Sequence, residues 1–264
     1  MRQMPELPEL SIVVPAFNEE ARLAPTLRSY LTYCRRHYPG TELIVVDDGS
    51  LDGTSQVAEG LGAEFPEIRL IRLAQNQGKG FAVRSGVVNA RGSRILFADA
   101  DGASPIEELA RLEQAISAGA DVAIGSRALS ESGVEVRAKL YRRFIGRAFH
   151  RLVELLTVRD IKDTQCGFKL FRGPVAHDLF SRMRMRGFSF DVEVLVMANR
   201  RGYKVAEVPI NWTHQPGSKV NLVTDSLRMA RDLFAIRSHC VRGEYNQPHV
   251  APRKTPLEVP VHPE

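Results

Sequence analysis

The chain has 264 residues, 44% of them apolar and 25% charged, with 36 Lys and Arg against 31 Asp and Glu for a net charge of +5. That length and balance fit a soluble globular protein with a sizeable core and exclude a disordered chain. No run of about 18 apolar residues occurs, which excludes an ordinary transmembrane helix. Met1–Glu6 lacks the apolar stretch of a signal peptide. The three cysteines, Cys34, Cys166 and Cys240, are far apart and form no CxxC, as expected in a reducing cytoplasm.

The first half alternates short apolar runs with helical stretches. The runs are 10–14, 43–46, 68–71, 95–98 and 122–124. Each is too short for a helix and lacks alternation, as expected of strands buried on both faces. Between them, 19–36, 54–64, 80–90 and 105–118 read as helices, the last opened by Ser104-Pro105, a cap followed by proline at the first helical position. Repeated βα units predict an α/β domain with a mostly parallel sheet and helices on both faces.

The second half is less regular. Residues 136–158 read as a helix, 168–171 as a strand, 190–201 as a helix, 204–208 as a strand and 222–239 as a last helix. Beyond 240 the periodicity stops. Five of the 15 prolines (Pro248, Pro252, Pro256, Pro260 and Pro263) fall in this tail, so 241–264 is expected to be disordered. The expected organisation is one catalytic domain over 1–240, without an internal repeat.

Ligands of open α/β sheets bind at the carboxyl ends of the strands. Here those ends are acidic: Asp47-Asp48 after the second run and Asp99-Ala100-Asp101 after the fourth. One such Asp is as readily a helix cap as a ligand. Two crowded pairs repel unless a cation or donor satisfies them. Asp99 and Asp101 can face one hard divalent cation, and Mg²⁺ takes one or two carboxylates together with substrate phosphates. Nucleotide-loop alternatives fail: Val83 stands where GxGxxG needs its third glycine, and no Walker loop is present.

Taken together, Val14-Pro15-Ala16-Phe17-Asn18-Glu19-Glu20, Val45-Val46-Asp47-Asp48-Gly49-Ser50, Asn76-Gln77-Gly78-Lys79-Gly80 and Asp99-Ala100-Asp101-Gly102 resemble a family 2 glycosyltransferase. Ser126-Arg127, 163–171, Phe190-Asp191-Val192-Glu193 and Gly217-Ser218-Lys219 are most similar to dolichyl-phosphate β-glucosyltransferases and bacterial polyprenyl-phosphate relatives. The likeness covers roughly 9–239. It implies a GT-A fold, inversion at the anomeric carbon, and transfer of a hexose to a lipid phosphate, with UDP-glucose the expected donor. A hydroxyl acceptor, GDP-mannose or another sugar nucleotide is the alternative.

By motif, Pro15, Ala16, Glu19, Asp47 and Asp48 would line the nucleotide-sugar site. Lys79 would sit near base or diphosphate, and Asp99, Ala100 and Asp101 near ribose and metal, with Asp99 and Asp101 holding Mg²⁺ or Mn²⁺. Arg127 would face the leaving group, and Asp191 and Glu193 would be catalytic carboxylates. Gln165, Cys166, Gly167, Lys169, Trp212 and Lys219 would wall the sugar or acceptor pocket. Related mannose-transferring enzymes place Gln two residues after the second Asp of this motif; here Ala103 stands there.

The charge is concentrated. Residues 136–159 hold seven basic side chains against Glu154, a net +6, which leaves the rest of the chain at −1 of the overall +5. Apolar residues recur there at three- and four-residue spacing, predicting a basic amphipathic helix that docks peripherally on the cytoplasmic face of a membrane. Residues 227–237 repeat the pattern more weakly. A nucleic-acid partner is not expected, because no aromatic stacking pattern accompanies the charge.

Overall fold

A computed structural model describes residues 7–129, 133–137, 161–215 and 222–246. Seven strands form one sheet: β1 (Leu10–Ala16), β2 (Glu42–Asp47), β3 (Ile68–Arg72), β4 (Arg94–Ala98), β5 (Val122–Ser126), β7 (Phe168–Arg172) and β8 (Val205–Pro209), in the order β3-β2-β1-β4-β7-β5-β8. All neighbours are parallel except β7, which runs antiparallel to both β4 and β5. This mixed, mostly parallel sheet flanked by helices matches the architecture expected from the sequence.

The short apolar runs are strands because each side of the sheet is covered. In β1, Ile12 and Val14 enter the core beneath α1 (Glu20–His37) and α2 (Thr54–Glu64), together with Leu23, Leu27 and Ala58. Val13 between them faces the opposite core with Ala82, Val83 and Val87 of α3 (Lys79–Asn89). Period-two alternation between two apolar layers removes any need for a polar face. Helix α4 (Leu109–Ser117) covers β5 and β7 on the α1 side.

Chain order places the site. From β1 the crossovers run outward to β2 and β3, and the next strand, β4, returns to the other side of β1. The reversal opens a crevice at the carboxyl ends of β1 and β4. Because β7 is antiparallel, its amino end lies at that same edge, so Gln165–Gly167 enter the crevice beside Asp99.

Three details differ from expectation. Helix α5 (Gly173–Arg182) follows β7 directly; Gly173-Pro174 reads as a turn in isolation, yet proline fits a helix's first turn, where its missing N–H is not needed. Helix α6 spans Phe190–Arg200 as expected, and α7 spans Leu222–Val241. The helix expected from 136 does not start there: Val136–Arg137 is strand β6, paired in parallel with β9 (Trp212–Thr213). The remainder of that stretch, 138–158, lies outside the described residues. Residues 241–246, part of the stretch expected as tail, are ordered: a turn after α7 carries Tyr245 into the core. Among the described residues no helix is long and apolar enough to cross a membrane.

Candidate active site

The rim at the ends of β1 and β2 is tied together by polar contacts. Asn18, in the left-handed region at φ 55°, accepts the Leu51 N–H through Oδ1 at 2.9 Å and donates its own N–H to Ser50 Oγ at 2.9 Å. The Glu19 N–H reaches Thr54 Oγ1 at 2.7 Å, and the Glu19 carboxylate pairs with Arg22. Pro15 and Ala16 are buried in register with Val46 and Asp47.

The two aspartates after β2 face inward. Asp47 is fully buried, and its oxygens take the Ser50 N–H at 2.9 Å and the Ser55 hydroxyl. Asp48 accepts the N–H groups of Gln77 (2.7 Å) and Gly78 (2.9 Å). Burial raises the Asp48 carboxyl above its ordinary range, and those two N–H groups oppose the rise. Both side chains, expected to line the nucleotide-sugar site, shape loops there: Asp47 its own turn, Asp48 the Asn76–Gly80 loop.

That loop delivers Lys79 into the crevice. Its ammonium pairs with Asp99 at 2.7 Å and lies over the rings of Phe97 and Phe188, at 5.3 and 5.9 Å. Burial works to lower the Lys79 pKa, but Asp99 and Asp191 outweigh it and hold the amine charged. Asp99 is anchored through its backbone, whose N–H donates to Gly167 O at 3.0 Å. Ala100 is buried. Asp101 accepts the Ala103 N–H at 3.0 Å and lines a groove of about 330 Å³ with Arg22, Thr26, Tyr30, Ser104 and Gln215. Burial and the neighbouring Asp99 raise the Asp101 carboxyl above its usual range, so a cation there would be welcome. Among the described residues no three His, Cys, Asp or Glu side chains converge on one point. A metal would therefore rest on Asp101 and Asp99 and complete its shell from diphosphate and water, the habit of Mg²⁺.

Gly167 has no room for a side chain: a Cβ there would overlap the Asp99 carboxylate. Gly167→Ala is expected to displace Asp99 and cut turnover by about 10-fold or more while the fold persists, since misplacing a positioning group by about 1 Å has such an effect. Steady-state kinetics with circular dichroism checks this.

Opposite Asp99, Lys169 and Asp191 form a buried ion pair in which Asp191 keeps 4% of its surface open, and the Lys169 ammonium also donates to Cys166 O at 2.6 Å. Burial raises the Asp191 carboxyl, with Lys169 and then Lys79 opposing. Cys166 is buried, and burial beside Asp163 pushes its thiol up to about 12, which removes it as a nucleophile. Gln165 reaches toward Met229 Sδ of α7 at 3.9 Å. Lys219 lies outside the described residues.

Glu193 is set apart from Asp191. Two residues apart on α6, Asp191 and Glu193 point to nearly opposite sides of the helix. Glu193 is fully buried and accepts the Arg184 N–H (3.0 Å), the Met185 N–H (2.7 Å) and the Tyr245 hydroxyl (2.8 Å). The carboxylate pair expected from the sequence therefore divides, with Asp191 in the crevice and Glu193 in the scaffold behind it.

Arg127, at the end of β5, is gripped by Asp163 through Nε (2.7 Å), Nη2 (2.8 Å) and its backbone N–H (2.9 Å), and its guanidinium lies 5.4 Å from the centre of the Trp212 ring. Asp163 is held in turn: its N–H donates to Glu207, which also receives the Ser126 hydroxyl. Sequence reading missed Asp163 and Glu207 because their partners lie 36 to 81 residues away. The only available signal was Asp163's place at the head of the motif that ends in Phe171. Burial raises the Asp163 carboxyl, but Arg127's charge and hydrogen bonds overcome this and hold it low. Its stabilisation is therefore complete above the ordinary value of 3.8 and is lost as pH falls through the lower folded value. Denaturant unfolding at pH 3 and pH 6 should differ less in Asp163→Asn than in the parent.

The glycosyl transferase family 2 model matches residues 11–180. A dolichyl-phosphate β-glucosyltransferase of Drosophila melanogaster is 42% identical over 243 residues, covering 86% of this chain and 74% of the relative. The Homo sapiens enzyme of the same name is 38% identical over 250 residues, covering 90% and 77%. Glucosyl-3-phosphoglycerate synthase of Mycobacterium tuberculosis, in complex with UDP, superposes with a TM-score of 0.65 at 20% identity, over 89% of this chain and 80% of that one. Mannosyl-3-phosphoglycerate synthase of Rubrobacter xylanophilus gives 0.66 at 17% identity, over 94% and 79%. Those structures share the GT-A glycosyltransferase architecture. With the family model matched across the nucleotide-side motifs and relatives of this identity over most of the length, the chain belongs to glycosyl transferase family 2.

Proposed function

We propose that the protein transfers glucose from UDP-glucose to a polyprenyl phosphate of the dolichyl type, with inversion, and that it needs Mg²⁺ or Mn²⁺. The observation that carries this reading is the pairing of a charged Lys79–Asp99–Asp101 cluster with an enclosed Lys169–Asp191 pair across one crevice, in a chain whose relatives are dolichyl-phosphate glucosyltransferases over most of its length.

The donor's diphosphate lies against Lys79, and Asp101 with Asp99 would hold the cation. That cation, when bound, stabilises negative charge on the departing diphosphate as a Lewis acid. Arg127, fixed by Asp163, adds a second positive charge at the same edge. An acceptor phosphate oxygen forms the new bond to the anomeric carbon as the bond from that carbon to the diphosphate oxygen breaks, and UDP departs. A phosphate monoester is mostly dianionic near pH 7, with a second pKa of about 6, so no base need remove a proton. Asp191, already paired with Lys169, orients the glucose hydroxyls instead of acting as a base. Cys166, Gly167 and Trp212 belong to the wall on the acceptor side.

The exposed side of α7 supports a membrane-bound acceptor. Arg228, Arg231, Phe234, Arg237 and Val241 follow one another at three- and four-residue spacing on its outer surface, Phe234 being 61% exposed. Basic side chains flanking an apolar one suit the headgroup region of an anionic bilayer. The protein is thus read as a peripheral enzyme of the cytoplasmic face. Its three cysteines are buried and free, in keeping with that compartment.

Incubation of the protein with labelled UDP-glucose, Mn²⁺ and a short polyprenyl phosphate should give a glucosyl phosphodiester, identified by mass spectrometry. Transfer only to hydroxyl-bearing sugars or polyols, with none to the lipid phosphate, would overturn the assignment.

A further inference from the structure

The turn after α7 reaches the crevice through a continuous set of contacts. Tyr245, 1% exposed, packs its ring edge-on to His239 at 5.9 Å and donates its hydroxyl to Glu193 at 2.8 Å. The other acceptor positions of Glu193 hold the N–H groups of Arg184 and Met185. Glu244 fastens the same turn, pairing with Arg184 at 2.7 Å and with His239 Nδ1 at 2.8 Å.

The segment so held is the floor of the Lys79 loop. Arg186 O accepts the Phe81 N–H at 3.1 Å. Backbone packs on backbone here: a Cβ on Gly78 would come within 2.5 Å of Arg186 O, and one on Gly80 within 2.6 Å of Met185 O. Gly78 also has φ +99°, a conformation that side-chain-bearing residues rarely adopt. Lys79, between these two glycines, is thus seated directly on the 184–186 backbone. That backbone is pinned by a carboxylate whose partner lies at the far end of the chain.

We infer that Tyr245 is a positioning residue: by docking on Glu193 it fixes the 184–186 segment, and through Gly78 and Gly80 it sets where Lys79 meets the donor diphosphate. A purely cohesive role would be served as well by an apolar contact, since a buried polar pair adds little net stability. What the hydrogen bonds add is a defined height for one loop. The inference rests on the reading that Lys79 contacts the donor.

The test uses the full chain. Tyr245→Phe keeps the ring and removes only the hydroxyl; Glu193→Leu removes the acceptor of the Arg184 and Met185 N–H groups. Both are expected to speed hydrogen exchange at 77–82 and 184–187 while β1, α1 and α4 stay unchanged. Both are also expected to weaken UDP binding about 10-fold by calorimetry in Mn²⁺, raising the donor KM with little change in the acceptor KM. In a Lys79→Ala background the further loss from Tyr245→Phe should vanish. Unchanged exchange at 77–82, uniformly faster exchange everywhere, or fully additive losses would each overturn the proposal. If Lys79→Ala alone binds UDP as tightly as the parent, the donor role of Lys79 fails. The exchange pattern would then still decide whether Tyr245 controls the loop, and its effect on affinity would be refuted.

Discussion

Asp101→Asn is expected to lower the turnover of glucose transfer by about 10²–10³-fold, with the fold intact. Asparagine keeps the volume and can still accept the Ala103 N–H that Asp101 receives at 3.0 Å. It removes the negative charge that would hold the cation, and with it stabilisation of the departing diphosphate, an effect worth several kcal/mol. No third carboxylate, His or Cys converges there among the described residues, and Ala103 brings no ligand of its own, so nothing among them compensates. Raising Mn²⁺ should recover part of the loss. The contrast is Asp191→Asn, whose expected loss is smaller, about 10-fold, because a dianionic phosphate attacks without a base. Equal and near-complete losses in the two variants would place proton removal at Asp191 and point to a hydroxyl acceptor.

Lys169→Met should be the most damaging substitution for stability. It leaves Asp191 enclosed beside Phe97 and Phe190 without its ammonium partner. Breaking a buried pair on one side costs about 3–5 kcal/mol, which for a chain of this size is a fall in Tm on the order of 10 °C. The penalty has a definite pH dependence. Burial already raises Asp191, and losing Lys169 raises it further. A carboxyl with a raised folded pKa favours the folded state while protonated and loses that contribution as pH rises through the folded value. Lys169→Met should therefore approach the parent's stability near pH 4 and fall away toward pH 7, as thermal melts across that range would show. Lys169→Met combined with Asp191→Leu should regain much of the stability, because no charge is stranded, and none of the activity.

The donor half of the site is legible in the sequence because its chemistry is local. Asp47-Asp48 and Asp99-Ala100-Asp101 follow directly on strands whose uniform apolarity marks them as buried on both faces, and in a parallel sheet the ends of such strands meet at one edge. The acceptor half depends on contacts between distant residues. Lys169 and Asp191 lie 22 positions apart and Arg127 and Asp163 lie 36 apart, so no spacing announces either pair. The division of Asp191 from Glu193 was available from helical geometry alone, once α6 is placed, because positions two apart cannot share a face. Helix α5 was hidden by Gly173-Pro174, and β6 by apolar spacing that continues unbroken past Arg137. Tyr245 carried no signal: an aromatic among Gly, Glu and Asn reads as tail until α7 turns it back toward Glu193.

The single reversed strand has a consequence for how such an enzyme can change. β1 to β4, with the loops proposed to meet the nucleotide, are contiguous in the chain and complete before β7 begins. Everything proposed to meet the acceptor arrives later, admitted at the same edge because β7 points the other way. The backbone thus has a seam between Ala98 and Phe168, crossed in the sheet by one antiparallel ladder from Arg94↔Arg172 to Ala98↔Phe168. Two segments beyond that seam still touch the donor side, Gly167 against Asp99 and the 184–186 backbone against the Lys79 loop. Chimeras joined there that keep those two contacts would be the natural route to new acceptors for an unchanged donor.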